Sequence, residues 1–137
     1  MTHPARRLTA PDGTVAAIDT LLVPLIKALW AAGYETIGSC QDIGESSGHS
    51  VERRGTYWKG YVLLEMPEQD ACRLLDEIKY TPQFQDRMHW AAPGAWEVSL
   101  PVMPFVPFGD GAAVMDLAQV HFPSDQIDDL IKVITEA

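Results

Sequence analysis

The chain has 137 residues, 47% hydrophobic and 21% charged, which is enough apolar content for one globular domain and too little charge bias for a disordered one. No apolar run approaches the roughly 20 residues that cross a bilayer, and the basic start from Met1 to Arg7 lacks the apolar segment of a secretory signal, so a cytoplasmic protein without a membrane partner is expected. The net charge of −9 is uneven: residues 1–60 carry six acidic and six basic side chains, residues 61–137 thirteen and four, a balance that argues against nucleic acid as a partner.

Residues 1–13 are expected to be a flexible lead-in, and 14–137 a single α+β domain. Apolar residues at Ile18, Leu21, Leu22, Leu25, Ile26, Leu29 and Trp30 have helical spacing. Pro24 favours a start at Asp19 or Thr20, where the ring falls at the edge of the first turn. Gly33 supplies a left-handed stop. Tyr34 to Ile37 then predicts a short strand delivering Ser39 and Cys40 to its tip, a common place for ligands in mixed folds.

The polar stretch 44–50 predicts a loop. Gly60 to Met66 predicts a central strand, and Pro67 opens a second helix with Ala71, Leu74, Leu75 and Ile78 on its buried face. Phe84 to Trp90 is a short helix or irregular cover. Trp96 to Val102 alternates as a strand with Trp96, Val98, Leu100 and Val102 facing inward, and Pro101 marks it as an edge or an end. A fourth strand over Val114 to Phe122 leads to Ser124, a helix cap, and the stripe Ile127, Leu130, Ile131 and Ile134. The order α-β-β-α-β-β-α predicts a two-layer sandwich: a four-stranded, mainly antiparallel sheet with helices on one face. A ferredoxin-like variant fits if the fourth strand takes the place of the missing first one.

Cys40 is the leading candidate for chemistry. As a nucleophile it needs a base, and His49, across the loop, or His121, on the fourth strand, is the candidate; as a small buried thiol it only packs. A ligand-sized groove is expected around Ser39, Cys40 and Gln41, extended by Arg53, Arg54 and Trp58, a mixture able to hold a phosphate and stack a ring. Cys72 is expected to pack beside the second helix's stripe, and both cysteines to be free. The four histidines show no HxxxH or CxxC spacing, so no metal site is expected. The apolar loop Met103, Phe105, Val106 and Phe108 predicts a contact surface, for a homodimer or a protein partner.

Gly13-Thr14-Val15, Ile18-Asp19, Val23-Pro24-Leu25-Ile26 and Tyr34-Glu35-Thr36-Ile37-Gly38-Ser39-Cys40 together resemble the opening of the wybutosine-synthesis tRNA methyltransferase family. That family has a glycine-led, proline-containing helix and a strand ending in Ser-Ser-Cys-Ser-Gly-Arg. The resemblance covers residues 13–40 and implies an S-adenosylmethionine-dependent enzyme with Ser39 and Cys40 in the matching motif. The chain also looks like short actinobacterial or mobile-element proteins of unassigned role with a helix, a strand and Ser-Cys-Gln. The composite expectation is a small acidic binding domain with a groove at Cys40. A methyltransferase-like or Cys-dependent enzyme, or an accessory factor docking through 103–108, is the alternative.

Overall fold

The computed structural model describes residues 3–42, 60–89, 92–100, 106–108, 111–113 and 117–136. Its elements are β1 (Ala5–Thr9), β2 (Val15–Asp19), α1 (Val23–Ala31), β3 (Gly38–Cys40), β4 (Tyr61–Pro67), α2 (Glu68–Ile78), β5 (Glu97–Ser99), β6 (Val106–Phe108), β7 (Gly111–Ala113), β8 (Leu117–Pro123) and α3 (Ile127–Glu136).

Residues 5–19 depart most from expectation. They form an antiparallel hairpin, β1–β2, in register from Ala5↔Asp19 to Thr9↔Val15, where a flexible lead-in was expected. Its turn follows from Pro11-Asp12-Gly13. Gly13 takes a φ of +90°, and the Thr14 N–H donates to Asp12 Oδ1 at 2.9 Å, an Asx turn. That bond holds the Asp12 carboxyl below its ordinary range. Ile18 therefore belongs to a strand and is buried there. A 3-10 turn over Thr20–Leu22 follows, and α1 begins at Val23 with Pro24 in its first turn, as the later start requires. Gly33, at φ +87°, closes the helix. Its N–H bonds to Trp30 O and that of Tyr34 to Leu29 O, the paired bonds of a Schellman cap.

Four strands form one antiparallel sheet in the order β3-β4-β8-β5. Because β4 and β5 both run antiparallel to β8, they are parallel to each other, and α2 connects them across it: a split β-α-β unit. β8 thus fills the place of the absent first strand of a ferredoxin-like sheet, and β6–β7 is a separate hairpin.

Along β4 only alternate side chains, Val62, Leu64 and Met66, are fully buried, so this central strand covers its core on one face rather than two. Ala118, Val120 and Phe122 of β8 lie beside them. Leu22, Leu25, Ile26 and Leu29 around α1, Ala71, Leu74 and Ile78 of α2, and Ile127, Leu130 and Ile134 of α3 complete a single core. Trp96 stacks on Phe122 at 4.6 Å and meets Phe84 edge-on at 5.5 Å. Its indole N–H donates to Gln126 Oε1 at 2.7 Å, and Gln126 Nε2 donates to the Gln83 carbonyl, so the one buried glutamine is satisfied at both ends.

At the end of the sheet, β5 spans only Glu97–Ser99. Val98 and Leu100 are exposed there; the register puts Val98 on the core-side face with Val120, as expected, but leaves it uncovered. An edge strand has a neighbour on one side only, which leaves these side chains uncovered. Cys72 likewise faces solvent, because it lies off the Ala71–Leu74–Ile78 face, and neither Cys40 nor Cys72 is in a disulfide.

Removing the Phe122 ring should destabilise the fold by about 3–5 kcal/mol, because the ring is fully buried against Trp96. Urea unfolding of Phe122→Ala measures this; a loss below 1 kcal/mol would mean that the aromatic stack does not anchor the core.

Candidate functional site

The sheet's outer face carries the polar side chains. Register places Gly38, Glu65, Gln119 and Ser99 in one row across the four strands, and Cys40, Leu63, His121 and Glu97 in the next row on that face. In the first row, Gln119 Nε2 donates to Glu65 Oε2 at 3.1 Å. Gly38 leaves space for that carboxylate: a Cβ there would stand 2.5 Å from Glu65 Oε1.

Register also separates two residues that sequence reasoning placed together. Leu63 lies between Cys40 and His121, so the two are two strands apart, roughly 10 Å at the spacing of a β-ladder. His121 is buried at its own position. Among the described residues, the histidine that reaches Cys40 is His3. It comes from the segment just before β1, together with Asp19 at the end of β2. The ligating atoms of His3, Asp19 and Cys40 all lie within 4.8 Å of one another, and all three residues are half-buried.

Backbone bonds set this convergence. The Thr20 N–H and hydroxyl both donate to the Pro4 carbonyl, at 2.8 and 3.0 Å, which continues the β1–β2 ladder and places His3 just beyond it. The Gln41 N–H donates to Asp19 Oδ2 at 2.9 Å, tying the hairpin to the exit of β3. The Gln41 side-chain oxygen accepts from the Leu21 N–H at 3.2 Å. His3 Nε2 lies 3.4 Å from the Asp42 carbonyl. Asp42 in turn accepts the Gly60 N–H on both carboxylate oxygens at 3.1 Å, holding the exit of β3 beside the entry to β4.

Of the other expected site residues, Ser39 lies on β3 paired to Leu64, on the sheet face opposite Cys40, and Gln41 follows β3. His49, Arg53, Arg54, Trp58, Met103 and Phe105 lie outside the described residues, and Val106 and Phe108 are described only as backbone in β6. The groove expected at Cys40 runs onto the 43–59 segment, also outside the described residues. Three surface cavities of about 480, 540 and 430 Å³ are lined elsewhere. The 540 Å³ one sits at the turn end of the hairpin, between Asp12, Trp30, Glu35 and Ile37. Tyr34 is buried behind it under the Arg73 guanidinium, 4.1 Å from the ring centroid. Burial first, and the Glu77 carboxylate second, push its hydroxyl well above the ordinary tyrosine range.

Sequence reasoning missed His3 and Asp19. Spacing rules look for ligands close together in sequence, and these three are at positions 3, 19 and 40. The signal that was present is Leu8 to Val15, two β-prone stretches around Pro-Asp-Gly, which reads as a hairpin turn. No family model matches the chain, and neither does any curated protein or solved structure.

Asp42→Ala should lower stability by about 1–2 kcal/mol, since it strips the part-buried Gly60 N–H of its acceptor. Chemical denaturation of the variant checks it, and an unchanged midpoint would show that Asp42 does not tie the two strands.

Proposed function

We propose that the chain is a small ligand-binding domain whose site is the corner where the β1–β2 hairpin meets the edge strand β3, centred on Cys40. The observation that carries this reading is the convergence of an imidazole, a carboxylate and a thiol from three chain segments, their ligating atoms within 4.8 Å. The three come from positions far apart in sequence to one half-buried corner, where the Gln41 N–H holds Asp19 beside Cys40.

A thiol enzyme would use the same residues, with Cys40 as nucleophile, His3 as base and Asp19 to orient the ring. The geometry favours binding. In such a relay the imidazole stands between thiol and carboxylate and keeps them apart, whereas here Sγ and the carboxylate oxygen are themselves within 4.8 Å. Three atoms around one point suit a shared ligand better than a proton path. The methyltransferase-like alternative, carried by the resemblance over 13–40, would use Ser39 and Cys40 of the same corner for S-adenosylmethionine.

Native mass spectrometry of the full chain, wild type beside Cys40→Ser, tests the reading. Wild type should retain an adduct that Cys40→Ser lacks while keeping its circular dichroism spectrum. An equal adduct on both proteins, or none on either, would defeat a site centred on Cys40.

Self-association is the second reading, and β5 supports it. Val98 is 38% exposed and Leu100 59%. Beside them, Tyr80 and Met88 line an open groove of about 480 Å³ with Val98. A short edge strand with an uncovered apolar side is a template for a second copy. Sedimentation should give a dimer that Val98→Lys converts to monomer; a wild-type monomer at high concentration would remove this reading.

A further inference from the structure

The geometry points to a zinc-class divalent metal ion as the ligand of the corner, held by Cys40 Sγ, His3 and Asp19. This inference rests on the reading that the corner is the binding site, and it names the ligand.

The donor set selects the ion. Thiolate sulfur and imidazole nitrogen belong to Zn2+ and its first-row neighbours, while Mg2+ and Ca2+ take oxygen donors. A single cysteine is too few for an iron–sulfur cluster. A thiolate and a carboxylate supply two negative charges, which match a divalent ion, with the imidazole neutral.

The spacing suits it too. Metal–ligand distances of 2.0–2.3 Å put the donors of a tetrahedral site roughly 3.3–3.8 Å apart. Atoms mutually within 4.8 Å reach that arrangement by small side-chain rotations rather than backbone movement.

Supporting bonds fall where a metal site needs them. Ligating carboxylates and imidazoles are usually held by hydrogen bonds through their second atom. Asp19 accepts the Gln41 N–H on Oδ2, which turns Oδ1 to the ion. His3 Nε2 lies 3.4 Å from the Asp42 carbonyl, a contact that would hold the ring with Nδ1 coordinating. The Asp42 carbonyl is itself held in place, because its carboxylate takes the Gly60 N–H. Three donors among the described residues, with water or a donor atom of a small molecule in the fourth position, would make the pattern of working rather than purely structural zinc sites.

Cobalt(II) titration of the full chain tests the inference, in a Cys72→Ser background that leaves Cys40 as the thiol. Expected is a thiolate-to-cobalt charge-transfer band that saturates at a single equivalent and is abolished by Zn2+. Cys40→Ser should lose the band, and His3→Ala and Asp19→Asn should each weaken binding by at least about tenfold. Asn keeps the acceptor for the Gln41 N–H, so that variant isolates the ligand role from the structural one, and circular dichroism checks that each variant folds. No band from the folded chain overturns the inference. So does a band that His3→Ala and Asp19→Asn leave unchanged, since a lone thiol would then be collecting metal. A Cys40-dependent adduct in native mass spectrometry without a cobalt band would sink the metal and leave the binding reading standing; neither signal would sink both.

Discussion

The pairing of β4 with β8 governs the rest of this molecule. Seven residues run in unbroken register from Tyr61↔Pro123 to Pro67↔Leu117, and side chains alternate faces along each strand. The register sends Val62, Leu64, Met66, Ala118, Val120 and Phe122 towards the helices. It leaves Leu63, Glu65, Gln119 and His121 on the other face. A slip of one residue would reverse both sets, exposing Leu64 and Val120 and driving the Glu65 carboxylate into the core, where an unpaired charge is very costly. The remaining strands extend this pair: β3 adds to one side, β5 to the other, and the rows across the outer face follow. The position of Cys40 is thus a consequence of packing several residues away.

The corner at Cys40 depends on a second, weaker arrangement at the sheet's edge. β3 has only three residues and its outer side faces the β1–β2 hairpin. Edge strands are commonly protected by being short or covered, and here the cover also brings chemistry. Gln41 joins both functions: its N–H holds Asp19, and its side-chain oxygen accepts the Leu21 N–H at the start of the 3-10 turn. The same bonds that stop β3 from presenting an open edge bring His3 and Asp19 to Cys40.

The sequence was most legible where one physical rule acted alone. Ala71, Leu74 and Ile78 on α2, Ile127, Leu130 and Ile134 on α3, Gly33 as a helix stop and Gly60 to Met66 as a central strand all match the structure, because helical periodicity, glycine's left-handed freedom and β-propensity pointed the same way at each. Two rules competed at Ile18. Its spacing to Leu22 and Leu25 is helical, yet the Pro-Asp-Gly turn before it makes Val15–Asp19 a strand, and tertiary pairing with Ala5–Thr9 settles the contest. Without that hairpin His3 falls in a lead-in and Asp19 at a helix start, since a set assembled from positions 3, 19 and 40 is visible only once the strand pairing is known. Val98 and Leu100 were misjudged for a related reason: alternation tells which residues share a face, and not whether anything covers it.

The domain's size bears on what its corner is for. Metals act as structural staples chiefly in chains too short to bury an adequate core. This chain has a continuous core spanning three helices and the inner face of the sheet, with its aromatic stack and buried Gln126 fully engaged. It has no need of a staple at the rim. Charge leads the same way. The C-terminal part of the chain is strongly acidic, and the described corner gathers a thiol, a carboxylate and an imidazole. Such a set has little to offer a phosphate and much to offer a cation. Half-buried, and tied to the fold through the bond from the Gln41 N–H to Asp19, these three residues form the corner that the proposed reading assigns to a ligand from solution.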